Sequence, residues 1–436
     1  MTSVVADQTP VQINTSHRLQ SIDVLRGVAI MAVMLMHIPH DAPGGYRLNP
    51  WFFPAWFMNF GYLGVHLFVL ISGFCIHRRA AIQKNNHGTW NVSWGAFWIR
   101  RFWRLYPTYL VAIGFSILAA KFLHDRAPDA ADPRATDVVA HGLMVHNLFR
   151  EFATSLGNGA FWSLGMEEQL YALYALLLLM LRRVGHLTTL AAVLCVTLAW
   201  RAAWPILPEL TLAHDFTLGK WYLWPFMFWL HWTLGAIAAE CYFGNLKPPA
   251  IVTSLRTMLM LLGCGLLVNR KTFELLASTG PGQTLTNLLD LPQTQIVSSL
   301  GEICIGVALF MVLYKALLSE QTCRFEGRFA QALANLGRVS YSLYLTHVPI
   351  LFILEQHLPI TEFKLQWPIR IAVYLAICTL SGYVYFYLIE RHNNFFPLLK
   401  LLLKLQQQQK QRELSHLEKK LKWQPHRLLQ IHFGLF

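Results

Sequence analysis

Arg26 and His37 are the residues whose types and spacing point most directly to chemistry. Both lie within residues 23–37, a stretch apolar enough to enter a bilayer. An ionisable side chain at membrane depth costs about 2.5–3.5 kcal/mol on insertion scales, so such groups face a protein interior or a watery cavity. Eleven residues separate the two, almost three helical turns, which places them on one face about 16 Å apart. Asp23 stands one turn before Arg26, near enough for an i,i+3 pair. One helix thereby presents a cation near one membrane surface and an imidazole in the opposite half. An imidazole, with an unperturbed pKa of about 6.5, exchanges protons near neutrality. The competing reading is that Arg26 snorkels to the interface and His37 is a capped or core histidine.

Four more stretches carry polar groups. Residues 61–74 hold Gly61, Gly64, Ser72 and Gly73, small enough for another helix to approach closely, which favours packing and leaves His66 over. In residues 100–107, Arg101 and Arg104 share a face at i,i+3, where guanidinium forks suit phosphates; anchoring on the positive side of a membrane explains them equally. In residues 161–171, Ser163 suits an N-cap and a first-turn carboxylate complements the helix dipole. Glu167 and Glu168 point about 100° apart, so at least one faces the bundle, with Tyr171 a turn beyond Glu167. Finally, Ser340, Tyr344 and His347 recur at i, i+4 and i+7, a polar stripe longer than packing requires. Glu302 and His231 stand alone in apolar surroundings, either satisfied internally or functional.

The elements that must position these groups are membrane helices. The 436-residue chain is 55% hydrophobic and only 14% charged, with mean hydropathy +0.38, whereas soluble domains carry about 25% charged residues. Ten segments are long enough for a hydrocarbon core of about 30 Å: 22–39, 60–77, 103–123, 162–181, 187–204, 222–243, 250–268, 296–314, 337–356 and 367–389. The predicted fold is therefore an all-α integral membrane protein. Residues 77–104 carry six Lys/Arg and no acid, while 124–161 carry three Arg and five acids. Arg182, Arg183, Arg324, Arg328 and Arg338 fall on the same side as the first group, so the positive-inside rule predicts that both termini are cytoplasmic. Trp51, Trp56, Trp162, Trp221, Trp224 and Trp367 fall at the opposite ends, as an aromatic belt would.

Three regions are expected: a polar N-terminal segment at 1–21, a transmembrane domain at 22–392, and a basic cytoplasmic tail at 393–436. Net charge is +13, and residues 400–436 hold eight Lys/Arg against two Glu. A basic flank beside apolar spans reads as a contact with anionic lipid, and no nucleic-acid partner is expected. Seven scattered cysteines without C-x-x-C suggest neither a disulfide framework nor a zinc site. The first apolar run lacks a small-residue cleavage site and is expected to remain as a span.

In order along 22–392, these motifs resemble the membrane-bound acyltransferase 3 family: Arg26 and His37, Gly61-x-x-Gly64-Val65 through Ser72-Gly73-Phe74, Arg101-x-x-Arg104 before Tyr106-Pro107, Trp162-Ser163-Leu164 with Glu167-Glu168-Gln169, and Ser340-Tyr341-x-x-Tyr344-Leu345-x-His347. His66 stands where an Asp is often found, Leu170 replaces an aromatic, and Glu390-Arg391-His392 departs from the usual Glu-x-Pro ending. The resemblance implies an enzyme of the cell inner membrane that takes an acyl group, commonly acetyl, from cytoplasmic acyl-CoA. It would place that group on a hydroxyl of an extracytoplasmic or lipid-linked glycan, with acyl-CoA as a substrate and no permanently bound cofactor or metal. His37 would be the general base or a transient acyl-histidine nucleophile. Arg26 would meet CoA phosphate or steer the thioester, and Arg101 and Arg104 would hold the nucleotide end. Glu167 or Glu168 would orient the histidine or bind acceptor hydroxyls. Asp23, Tyr171, Ser340, Tyr344 and His347 would line the substrate path. The acceptor would come directly to the pore or through a glycan-export partner. The alternatives are a polytopic transporter or flippase, for which broken helices and inverted repeats would speak, and a non-enzymatic membrane sensor.

Overall fold

The computed structural model describes residues 18–38, 59–122, 133–213, 216–269, 272, 291–322, 327–357 and 367–392. The expected basic tail at 393–436 lies outside the described residues, as do Trp51, Trp56 and Arg324. The described chain is dominated by helices: α1 Gln20–His37, α2 Tyr62–His87, α3 Trp94–Phe122, α4 Ala135–Gly142 and α5 Trp162–Ala203, then α6 Trp229–Tyr242, α7 Leu255–Leu267, α8 Leu291–Thr322, α9 Arg328–Arg338, α10 Ser340–His357 and α11 Trp367–Tyr385. A π-helical turn, Phe386–Glu390, extends α11. A two-stranded antiparallel hairpin of β1 (Leu210–Ala213) and β2 (Phe216–Leu218) is the one sheet among the described residues.

Six described segments are long and apolar enough to cross a membrane: Gln20–His37, Tyr62–His87, Trp94–Phe122, Gly159–Ala203, Val297–Glu320 and Ile371–Glu390. The other expected spans coincide with helices that differ from the expectation for visible reasons. The segments 162–181 and 187–204 belong to α5, which breaks at Gly185, whose φ of 78° only glycine adopts readily. The segment 222–243 is helical only from Trp229, because Pro225 initiates a separate 3₁₀ turn ahead of it. The segment 337–356 is divided at Val339, separating the amphipathic α9 from α10.

Glycine sets the closest helix contacts. A Cβ at Gly73 would lie 1.9 Å from the Trp232 carbonyl, and one at Gly235 would lie 1.9 Å from that of Leu70, so α2 and α6 touch backbone to backbone. Gly27 and Gly337 do the same for α1 and α9. The packing role expected of Gly61, Gly64 and Gly73 is what the structure gives them.

An unforeseen polar knot joins α2, α5 and α6. Glu240, fully buried, accepts from His77 Nε2 at 2.5 Å, Trp90 Nε1 at 2.9 Å, Lys84 Nζ at 3.2 Å and His186 Nε2 at 3.3 Å. A buried carboxylate with this many donors is satisfied, whereas stripping one partner from a buried pair costs about 3–5 kcal/mol.

Candidate active site

A cavity lies between α1, α2, α3, α5 and α10. Arg26 enters it from α1, Ser72 from α2, Arg101 and Arg104 from α3, Ser163, Glu167 and Tyr171 from α5, and Ser340 and Tyr344 from α10. Seven of the candidate site residues, namely Arg26, Arg101, Arg104, Glu167, Tyr171, Ser340 and Tyr344, therefore line one cavity, although they lie on four separate stretches.

At one end the cavity adjoins a wider vestibule, and Arg26, Arg104, Ser340 and Tyr341 line both spaces. Arg18, Arg78, Arg338 and Arg391 also line the vestibule, opposed by Asp23 and Glu390. This concentration of guanidinium groups suits a polyanion. Arg101 lines the inner cavity alone, with its guanidinium 6.0 Å from the Tyr171 ring centroid.

Glu167 is the carboxylate that faces the bundle. It accepts hydrogen bonds from Ser72 Oγ and, at 2.5 Å, from Tyr171 Oη. Glu168 does not line the cavity, and its buried Oε2 has no hydrogen-bond partner. The two residues thus separate as their angular offset requires, and the pairing of Glu167 with Ser72 gives Ser72 a polar role beyond packing. Behind them, His141 and His146 stack with centroids 4.0 Å apart and planes 9° apart. Burial lowers the His141 pKa to about 4 and pushes that of His146 well below the ordinary value, so both are neutral at physiological pH. They back the start of α5, where a Cβ on Gly165 would approach His146 Cε1 to 3.2 Å.

Toward the other end, Tyr344 Oη donates to the Ala160 carbonyl at 2.8 Å and lies 2.5 Å from Ser163 Oγ. Its ring is 5.6 Å from His347, and the His347 ring is 4.9 Å from His37 at an interplanar angle of 74°. The pairing of His37 with His347 is not legible along either helix. Each ring is held by the same device: His37 Nδ1 donates to the Val33 carbonyl at 2.9 Å, and His347 Nδ1 to that of Tyr344 at 2.9 Å. With Nδ1 carrying the proton, each Nε2 presents its lone pair. The buried His347 Nε2 has no hydrogen-bond partner. Neither histidine lines the cavity directly; they stand beyond Tyr344.

Two expectations are corrected. Asp23 does not pair with Arg26: it accepts from Arg18 Nε at 2.5 Å and Nη2 at 2.9 Å, with Arg338 Nε at 4.0 Å, and lines the vestibule. The bidentate fork of Arg18 outcompetes the i,i+3 geometry. Glu302 and His231 are not solitary; they converge with His66. Sequence reasoning passed over Ser72, Arg78 and Glu390 as site residues. Glu390 accepts from Ser342 Oγ at 2.5 Å, and its place in a Glu-Arg-His sequence at the end of the last apolar run was the available signal.

Comparison with known proteins agrees with this arrangement. Residues 19–387 match the acyltransferase 3 family, described as an acyltransferase domain. The chain is also similar to the peptidoglycan O-acetyltransferase OatA of Listeria monocytogenes, with 25% identity over 368 residues, 78% of this chain and 51% of that protein. The chain thus spans about half the length of this curated relative. No solved structure matches it. With its long apolar helices and a family match over most of its length, this chain belongs to the acyltransferase 3 family of membrane enzymes.

Proposed function

We propose that the protein transfers an acyl group, acetyl in the simplest case, from cytoplasmic acyl-CoA to a hydroxyl of an extracytoplasmic or lipid-linked glycan. The observation that carries this reading is an arginine-lined vestibule that shares Arg26, Arg104, Ser340 and Tyr341 with the Glu167 cavity, whose wall includes Tyr344, with the His37–His347 pair in ring contact behind that tyrosine. The relative's name, a peptidoglycan O-acetyltransferase, supports the acetyl group and the glycan.

CoA phosphates would bind at Arg104 and Arg26, leaving the thioester to enter past Arg101 and Glu167. His37 Nε2 removes the acceptor hydroxyl proton as the oxygen attacks the thioester carbonyl. The tetrahedral intermediate then expels the CoA thiolate, and the proton returns from His37 to solvent or to the leaving sulfur. His347 holds His37 in place through ring contact. The acceptor reaches the site directly or through a glycan-export partner in the inner membrane. Purified protein given acetyl-labelled acetyl-CoA and a glycan fragment is expected to yield base-labile label on the glycan with stoichiometric free CoA. Absence of transfer across a panel of acceptors, together with no slow CoA release, defeats the proposal.

The reading also sets a topology of ten spans with both termini in the cytoplasm. Reporter fusions at Lys84, in the last turns of α2, and at Asp132, between α3 and α4 in the sequence, are expected to report opposite compartments. The same compartment for both would remove the separation of donor from acceptor.

A further inference from the structure

We infer that His66, His231 and Glu302 form a binding site for a divalent metal ion of the zinc type, joining α2, α6 and α8. The inference is independent of the proposed acyl transfer. One ligand atom from each residue can be chosen so that all lie within 4.8 Å of one another. The His66 and His231 ring centroids are 4.8 Å apart at 67°. Two imidazoles and one carboxylate, with a fourth position open, are a common zinc donor set, with metal–ligand distances of about 2.0–2.2 Å. Tetrahedral ligands at those distances stand roughly 3.4 Å apart, so ligand atoms that lie within 4.8 Å of one another must draw together around an ion.

Three features ask for a cation there. First, His66 Nδ1 donates to the Tyr62 carbonyl at 3.0 Å, which turns the Nε2 lone pair toward Glu302 Oε2 at 2.7 Å. Two electron-rich atoms in contact require a proton or a metal between them. Second, His231 is fully buried and neither ring nitrogen has a hydrogen-bond partner. A bare imidazole in that setting is costly. Third, the surrounding groups are those that orient metal ligands: a carbonyl behind His66, and Asn269 Nδ2 donating to Glu302 Oε1 at 2.5 Å. Gly306, one turn beyond Glu302, admits the His231 ring against α8, since a Cβ there would lie 2.8 Å from His231 Nε2.

Arg201 is the nearest competing cation. Its Nη2 donates to the Met227 carbonyl at 2.9 Å and stands 3.9 Å from Glu302 Oε2, too long for a hydrogen bond. A dication beside one carboxylate and one guanidinium leaves excess positive charge. The open position is therefore expected to hold hydroxide or another small anion.

The rival account is a protonated His66 paired with Glu302, in which His231 plays no part. To separate the two, the full chain is purified in detergent, stripped with chelator, reloaded with Zn²⁺ or Co²⁺ and freed of excess metal. Elemental analysis is expected to give about one Zn²⁺ per chain. Co²⁺ is expected to give the intense visible bands of a four-coordinate site, and Zn²⁺ to raise the thermal midpoint. His231→Gln is expected to weaken the metal by more than the about 10–100-fold that loss of an outer-shell partner costs. His66→Cys, which keeps a donor atom, is expected to retain Co²⁺ and add a sulfur-to-cobalt charge-transfer band. Substoichiometric metal after loading, or His231→Gln and wild type binding alike, overturns the inference in favour of the proton-bridged pair. Should His231→Gln fail to fold, absence of the cobalt–thiolate band in His66→Cys overturns it by itself.

Discussion

His37→Gln is expected to lower acyl transfer by about 10²–10⁴-fold, the usual contribution of a general base, while the protein inserts and accumulates as wild type. The reason lies in how the ring is held. Nδ1 is committed to the Val33 carbonyl, so Nε2 is the atom available to take a proton or to carry an acyl group. Glutamine keeps the size and the capacity to hydrogen bond but has no basic nitrogen. Transfer of labelled acetyl from acetyl-CoA, normalised to membrane-inserted protein, measures the effect. Transfer by the glutamine variant at a near wild-type rate would make His37 a structural polar residue and end the proposed mechanism. His347→Gln provides the internal comparison. It acts through ring contact with His37 at 4.9 Å, so it is expected to cost less than His37→Gln.

The second large effect is a split between Arg101 and Arg104, two residues that the sequence treats as equivalent. Arg104 lines both the vestibule and the inner cavity, whereas Arg101 lines the cavity alone, beside Tyr171 and Glu167. Arg104→Ala is accordingly expected to raise the KM for acyl-CoA with a smaller change in kcat. A hydrogen bond to a charged group is worth about 1.5–3 kcal/mol, which corresponds to roughly 10–100-fold. Arg101→Ala is expected to lower kcat more than it raises KM, because it disturbs the group that holds Glu167. Steady-state kinetics over a range of acyl-CoA concentrations distinguishes them. If both variants leave donor kinetics unchanged, the two arginines serve only as topological anchors and the vestibule is not the donor site.

Much of the site was legible because its signals are local. The Arg26–His37 spacing, the adjacent Glu167 and Glu168, and the Ser340, Tyr344 and His347 stripe are each set by the geometry of a single helix; of these, Arg26, Glu167, Ser340 and Tyr344 line one cavity, whereas His37, Glu168 and His347 do not. The i,i+3 pairing of Asp23 with Arg26 failed for an instructive reason. A local geometry permits a contact without securing it, and Arg18 offered a better-shaped partner. Ser72 was hidden by its neighbours, since a serine among packing glycines reads as one more small residue until Glu167 is seen beside it.

The sequence by itself determined that this is a helical membrane chain and where its apolar segments lie, because hydropathy and the 3.6-residue period are summed over neighbours along the chain. It also assigned the family through motifs that are short and ordered. Only the tertiary structure decided which polar groups meet: His37 with His347, Glu167 with Ser72, Glu240 with four donors, and His66 with His231 and Glu302. These partners belong to helices far apart in sequence. Their meeting depends on where α1 crosses α9 at Gly27 and Gly337, and α2 crosses α6 at Gly73 and Gly235, where backbone touches backbone. Those crossings fix the rotation and depth of each helix, quantities that no periodicity along a single chain segment contains.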